Sequence, residues 1–425
     1  MANENVVVNG TSVKLFAAAV QKSLAAQPAG TTVESESIAP AAEQALQELT
    51  YAIQQVTESD RDDGVMFVPN DRTTALLMSF LAEKQALAKA PASDQFSEAQ
   101  LDHADVGGWV SEFLPAWLKG RFSKRDFVEP GGVVKVPNDF RLAVLGDWGS
   151  GLYGAPISAA SIQTAKPAFD SLLHLGDVYY AGTKKEVQER FLDLWPDVPG
   201  TSSWALNSNH EMYSGGQGYF ETTLTDARFA GQARSSCFAW ENDQFLFLGL
   251  DTAHEEHAIG AKQARWIHQR AEAANGKKLI LFSHHQPFSV FEGDGPRLVA
   301  ALDDLLTAGR VMAWYWGHEH RCVFFEKHAK WSMWGRCIGH GGYPQWRDKF
   351  ASPPESTNAD GSSWMYVESE RAPGAWVLDG PNPYVKENPA GYGANGYVGL
   401  HFQGGVIHET VHAPDGSLLM AKDIF

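Results

Sequence analysis

From Phe140 to about Trp316 the chain repeats one pattern: a short apolar run, a cluster of polar residues, then a stretch with helical spacing. Strands are expected near 141–146, 171–176, 203–207, 244–250, 278–283 and 311–316, and helices at about 156–170, 184–195, 261–275 and 296–308. Such alternation is the sequence form of an α/β fold. The first two polar clusters share a design. Arg141-Leu-Ala-Val-Leu-Gly-Asp147 and Leu172-Leu-His-Leu-Gly-Asp177 are both buried-strand patterns that end on Gly-Asp. Ser208-Asn209-His210-Glu211, His284-His285-Gln-Pro287, Gly317-His318-Glu-His320 and Gly339-His340-Gly-Gly follow later strands. Open α/β sheets place their ligands beyond the carboxyl ends of the strands, so these clusters are expected to converge there.

Composition narrows the function. A formal charge of −17 over 425 residues argues against a nucleic-acid partner, which would need a basic stripe. Three cysteines (Cys237, Cys322, Cys337) form no Cys-x-x-Cys pair, and an odd count argues against a disulfide framework. The start lacks a basic n-region, and Leu15–Val20 is cut by Gln21 and Lys22. No apolar stretch approaches a membrane span. A reduced, cytoplasmic protein without a membrane partner is expected. Residues 1–137 read as a helical cap or accessory region, with helices at 11–26, at 40–59, from the Asp71 N-cap through Leu81, and near 106–119. The main domain is expected over 138–425. It holds a loop-rich insertion at about 341–396 and final strands near 397–402 and 405–413, the latter joined to 417–422 by a Pro-Asp-Gly turn.

Together the clusters supply two aspartates, an asparagine, a tyrosine and several histidines. Hard oxygen and imidazole donors suit Zn, Fe or Mn. The donors are too many for one ion, whereas one bridging aspartate would serve two metals about 3.5–4 Å apart, a clamp suited to phosphoryl transfer.

The series Gly-Asp-x-Gly, Gly-Asp-x-x-Tyr, Asn-His-Glu, His-x-Pro and Gly-His-x-His, in this order over 141–320, resembles the calcineurin-like metallophosphoesterases, and within them the purple acid phosphatase branch. The superfamily's first motif is Asp-x-His. Here Asp147-Trp-Gly149 lacks that histidine, and Tyr180 in the second motif takes its place. The resemblance implies a four-layer αββα sandwich of two mixed β-sheets flanked by helices. It implies one metal site of Asp147, Asp177, Tyr180 and His320, holding Fe(III), and a second of bridging Asp177, Asn209, His285 and His318, holding Fe, Zn or Mn. It further implies phosphomonoester hydrolysis of a phosphorylated small molecule by in-line attack of a metal-bound hydroxide. His210, oriented by a neighbouring carboxylate, would donate a proton to the leaving oxygen. The same core serves phosphodiesterases and nucleotide pyrophosphatases. Two departures stand out. Ser208 replaces the glycine of Gly-Asn-His, and His284 competes with His285, which alone gives His-x-Pro. His284 and Glu211 are then second-shell or substrate-facing, and His340 either lines the pocket or is a structural turn residue.

Rival readings are weaker. Gly149-Ser-Gly151-Leu-Tyr-Gly154 matches the dinucleotide fingerprint and implies an NAD(P)-dependent oxidoreductase. However, Asp147 would face the pyrophosphate, and Asn-His-Glu would have no role. A non-catalytic scaffold should have lost ligands, and none is lost. His254-Glu-Glu-His257 has the wrong spacing for a zincin and reads as a solvated loop. Tyr343, Trp346, Trp364 and Trp376 are candidates for stacking on a substrate ring or for loop packing.

Overall fold

The computed structural model describes residues 5–8, 11–14, 47, 48, 51, 52, 55, 71–88 and 124–425 except 387. Its strands in chain order are β1 (Asn5–Val8), β2 (Thr11–Lys14), β3 (Val133–Lys135), β4 (Phe140–Leu145), β5 (Ser171–His174) and β6 (Ser202–Ala205). Next come β7 (Phe238–Glu241), β8 (Phe245–Gly249), β9 (Lys278–Ser283), β10 (Val311–Trp316), β11 (Cys322–Phe325) and β12 (Trp334–Ile338). The last are β13 (Ser356–Thr357), β14 (Ser363–Val367), β15 (Ala375–Asp379), β16 (Tyr397–Gln403), β17 (Val406–His412) and β18 (Leu418–Ile424).

One sheet has ten strands in the order β13-β14-β15-β11-β12-β10-β9-β8-β7-β3, and the other six in the order β18-β17-β16-β4-β5-β6. Both are mixed. β4, β5 and β6 run parallel, as do β8, β9, β10 and β12, while β16, β17 and β18 are antiparallel. The central parallel strands β8, β9 and β10 are near-continuous apolar runs because both their faces are covered. Phe140, Leu142 and Val144 of β4 meet Phe247, Phe282 and Tyr315 of the larger sheet in a shared core. Helices Ala261–Ala273 and Pro296–Thr307 cover the outer face of the larger sheet. Helix Ala155–Thr164 and the π-turn Val187–Leu192 cover that of the smaller. This is the expected αββα sandwich.

An ion pair fastens the two sheets. Arg336 of β12 donates to Glu409 of β17 through Nε (3.0 and 2.9 Å) and Nη2 (2.8 Å). Tyr315 adds a hydroxyl donor to the same carboxylate at 2.8 Å, and both charged side chains are fully buried.

Two expectations need correction. Thr11–Lys14 is a strand rather than the start of a helix, and it pairs antiparallel with Asn5–Val8. The stretch 341–396 is more than a loop: β13, β14 and β15 lie within it and extend the larger sheet. Of the four N-terminal helices, the one capped by Asp71 is present over Arg72–Ala88, with Asp71 Oδ1 accepting from Thr74 N at 2.9 Å. The helices expected at 15–26 and near 106–119 lie outside the described residues, as does most of 40–59. Cys237, Cys322 and Cys337 are free and buried. No helix among the described residues is long and apolar enough to cross a membrane.

His174 closes β5 inside the core, against the Phe191 ring at 4.5 Å, and its Nε2 has no partner. Burial pushes its pKa down from 6.5 to about 3. The unfolded chain therefore takes up a proton below about pH 6.5 that the folded chain refuses until about pH 3, and stability falls across that window as pH drops. His174→Leu removes this contribution. Urea unfolding should show wild type losing roughly 2 kcal/mol more than the variant between pH 6.5 and 5, at 1.36 kcal/mol per unit. Equal losses would show that His174 takes up its proton as readily in the folded chain as in the unfolded one.

Candidate metal centre

The polar clusters do converge at the carboxyl ends of the parallel strands of both sheets. Asp147 follows β4, Asp177 follows β5, Asn209 and His210 follow β6, His284 follows β9, and His318 and His320 follow β10. Asp147, Asp177, His318 and His320 all have left-handed backbones (φ 57°, 76°, 71° and 54°). Such conformations cost of order 1–3 kcal/mol each and persist only where the surroundings dictate them. Here Asp147 N donates to Gly176 O at 2.9 Å, and His318 N donates to Asp147 Oδ2 at 2.8 Å. Gly317 must be glycine, since a Cβ there would stand 2.7 Å from Asp147 Oδ2.

Two groups of donors meet at Asp177. On its Oδ2 side lie the Tyr179 hydroxyl (2.9 Å) and His320 Nε2 (4.0 Å), with His320 Nε2 also 2.7 Å from the Tyr179 oxygen and 3.5 Å from Asp147 Oδ1. On its Oδ1 side lies His284 Nε2 at 3.3 Å, which is 2.9 Å from Asn209 Oδ1 and 3.2 Å from His318 Nδ1. The oxygen donors Asp147, Asp177, Tyr179 and Asn209 all belong to the six-stranded sheet. The imidazoles of His284, His318 and His320 belong to the ten-stranded one.

Two of the expected ligands stand apart from the donor groups around Asp177. Tyr179, not Tyr180, faces the aspartates. Glu186 accepts from the amides of Tyr180 (2.6 Å) and Ala181 (3.1 Å), which fixes the turn, and the Tyr180 ring lies beside Arg190, 5.4 Å from its guanidinium carbon. Arg190 also donates to the Tyr179 carbonyl at 3.2 Å. Similarly His284, not His285, meets Asn209 and Asp177. β9 ends at Ser283, and the next two side chains diverge: His284 Nδ1 reaches Leu175 O at 2.9 Å, while His285 Nδ1 reaches Thr252 Oγ1 at 2.9 Å.

The donors fit a pair of cations. His284 gives its Nδ1 proton to Leu175 O, so its Nε2 presents a lone pair. Asn209 gives its amide to the Tyr213 hydroxyl at 3.1 Å, so its Oδ1 presents another. The two lone pairs face one another at 2.9 Å with no proton between them, beside Asp177 Oδ1, which is 3.3 Å from His284 Nε2, and Asp147 Oδ1 is buried without a partner. Burial, and then the charge of Asp177, pushes Asp147 well above the usual carboxylate range. Burial would raise Asp177 too, but His284, His210, His318 and the Ser208 hydroxyl hold it low. Burial lowers His284, His318 and His320, the last to about 3, so all three are neutral, as ligands must be.

Ser208, the residue that departs from the motif, places its hydroxyl in short contact with both Asp177 Oδ1 and Glu211 Oε2. One hydroxyl proton cannot serve two carboxylates. Burial and the nearby Asp177 charge raise Glu211 to about 8, so Glu211 carries a proton of its own at neutral pH. His210 is oriented by a carbonyl rather than by the expected carboxylate: its Nδ1 lies 2.6 Å from Tyr180 O. His340 is buried with both ring nitrogens unpartnered and a pKa lowered by burial to about 3, and it does not line the pocket.

The pocket in front of the cluster encloses about 870 Å³. Sequence reasoning missed several of its residues. Arg72 enters from the N-terminal helix and donates to Tyr213 O at 2.6 Å; Lys124 and Arg321 add two more cations. His257, which reads as solvated in sequence, also lines it. Of the four aromatics considered, only Tyr343 does. Trp364 lies in the inter-sheet core, Trp346 stacks on Tyr392 (4.2 Å), and Trp376 tilts against Tyr366 (5.1 Å). The loop 149–154 is closed to a dinucleotide: a Cβ at Gly151 would stand 2.3 Å from Arg190 O, and Gly154 abuts Asn395 and Pro414.

Residues 140–322 match the model of the calcineurin-like phosphoesterase family. Among solved structures, a purple acid phosphatase from yellow lupin seeds is similar at 15% identity and a TM-score of 0.49, over 68% of this chain and 55% of that one, so the chain spans about half the lupin protein's length. A dimetal phosphatase from Danio rerio is similar at 11% identity and a TM-score of 0.39, over 67% of this chain and 98% of that one. No curated protein sequence matches the chain at a significant level.

Proposed function

We propose that the chain, whose residues 140–322 match the calcineurin-like phosphoesterase model, is a binuclear metal-dependent phosphomonoesterase. The observation that carries this reading is Asp177, whose two oxygens face separate donor groups, Oδ2 toward Tyr179 and His320 and Oδ1 toward His284, with Asn209 and His318 behind it. Asp147, Asp177, Tyr179 and His320 would hold one cation, and Asp177, Asn209, His284 and His318 the other. The phenolate suits Fe(III) at the first site; Fe, Zn or Mn fits the second. When bound, such a pair neutralises phosphate charge and lowers the pKa of water, making hydroxide available at neutral pH.

The chain's own groups do the rest. Arg72 and Lys124 line the pocket and favour a dianionic monoester over a singly charged diester, whereas Arg321 is held by Asp348. His210 also lines it. With Nδ1 held by the Tyr180 carbonyl, Nε2 is the nitrogen left to protonate the leaving oxygen. Residues 1–137 act as an accessory region, since Arg72 brings their helix to the pocket and Ser79 binds Glu186 at 2.8 Å. The free cysteines fit a reducing, cytoplasmic setting.

Hydrolysis of an aryl phosphate by the metal-loaded protein, abolished by chelation, is the primary test. Protein holding two metals that hydrolyses no phosphoester would refute the proposal. His210→Ala should lower turnover by about 10²-fold with metal content unchanged, and undiminished turnover would remove it as the acid. Iron-loaded protein should show a visible tyrosinate band that Tyr179→Phe abolishes and Tyr180→Phe keeps. The reverse result would restore Tyr180 as the ligand.

A further inference from the structure

Beside the two donor groups lies a third, made only of imidazoles. His257, His285 and His318 each offer a ring nitrogen, and the three nitrogens lie within 4.8 Å of one another. Their ring centroids are 3.7 Å apart for His257 and His285, 4.7 Å for His285 and His318, and 5.3 Å for His257 and His318. All three line the pocket.

His285 Nε2 is buried and has no partner, while Nδ1 is held by the Thr252 hydroxyl at 2.9 Å. A fully buried imidazole with one nitrogen fixed and the other bare is how a protein presents a metal ligand. As a core residue it would instead leave a polar atom unsatisfied, at a cost of about 1–3 kcal/mol. His257 sits on an exposed loop with φ 56°, a conformation that holds its ring against His285. The Glu292 carboxylate stands 3.9 Å from His318 Nε2.

We propose that His257, His285 and His318 bind a third cation, of the borderline class that prefers imidazole, with zinc as its representative. Three neutral histidines with a position open to the pocket are the donor set of a zinc site that accepts a further oxygen ligand. Here that ligand is Glu292 or a substrate oxygen. The site depends on the binuclear reading only through His318. That ring turns Nδ1 toward His284 (3.2 Å) and Nε2 toward Glu292 (3.9 Å), so it has one nitrogen for each side. With both sides filled, His318 would serve both as an imidazolate, its remaining ring proton passing to solvent, while His257 and His285 stay neutral.

The test is metal content of the full chain, measured by mass spectrometry after zinc loading and gel filtration, with circular dichroism as a control for folding. Wild type should hold three cations per chain, and His257→Ala and His285→Ala two each. Asp177→Asn, which disrupts the pair, should keep one. Cobalt loading should give a tetrahedral absorption band in wild type that His257→Ala removes. Two cations in both wild type and His257→Ala would overturn the third site and leave the binuclear reading intact. Loss of more than one cation in His257→Ala would show that the trio belongs to the pair, and would also overturn it. Phosphate binding lost in His257→Ala at a constant two cations would make the trio an anion cradle instead. A wild type that holds no cation at all would remove the binuclear reading together with this site.

Discussion

Asp177→Asn should abolish both catalysis and the binding of the metal pair. Asparagine keeps the shape of aspartate and tolerates its left-handed backbone, so the fold survives. What disappears is the charge that His284, His210, His318 and Ser208 surround. Loss of an outer-shell partner alone weakens a metal site by about 10–100-fold. Because Asp177 serves two donor groups, its replacement should cost at least that much at each, and aryl phosphate turnover should fall by roughly 10²–10⁴-fold. Asp147→Asn removes a charged donor only on the Tyr179 side, and its remaining amide oxygen can still accept from His318 N, so it should spare the cation beside His284. Elemental analysis of the two variants is decisive: if Asp177→Asn retained both cations, Asp177 would not be a bridge.

The second large effect concerns stability. Glu409→Leu leaves the Arg336 guanidinium buried between the sheets, with only the Phe325 and Gly335 carbonyls (2.7 and 2.8 Å) as acceptors. Breaking a buried pair in this way costs about 3–5 kcal/mol. Adding Arg336→Met should recover most of the loss, since replacing a whole buried pair by apolar groups is often neutral or stabilising. The Tyr315 hydroxyl then lacks its acceptor, so recovery stays incomplete unless Tyr315→Phe is added. Denaturant unfolding of the series checks this. A loss below 1 kcal/mol in Glu409→Leu would mean that water reaches the guanidinium.

Much of this centre is legible in the sequence. The central strands β4, β5, β6, β8, β9 and β10 are short, largely buried and recur at regular intervals, and their polar ends identify Asp147, Asp177, Asn209, His318 and His320 as neighbours. β11, β12, β14 and β15 escape because they are short and set among glycines, prolines and aromatics that mimic loop composition. Two sites of adjacent like residues defeat spacing arguments altogether. Tyr179 and Tyr180 differ only in which way the turn faces, and Glu186, bound to the amides of Tyr180 and Ala181, decides that. His284 and His285 differ by where β9 ends. A proline two residues on favours His285, whereas the hydrogen bond that His284 donates to Leu175 O and the one between His285 and the Thr252 hydroxyl partition the rings the other way. His257 and Arg72 reach the pocket from segments with no motif, so only tertiary contact reveals them.

The division of donors between the sheets makes the centre a test of their docking. The smaller sheet brings every oxygen and the larger every imidazole, so neither half alone has a complete ligand set. A cation that binds the assembled sandwich and not its separated halves adds RT ln(1 + [L]/Kd) to the stability of the correctly docked form. Misaligned sheets would hold an aspartate edge and a histidine edge out of reach of one another. Metal uptake would then proofread the assembly, admitting to catalysis only those molecules whose two sheets have met in register.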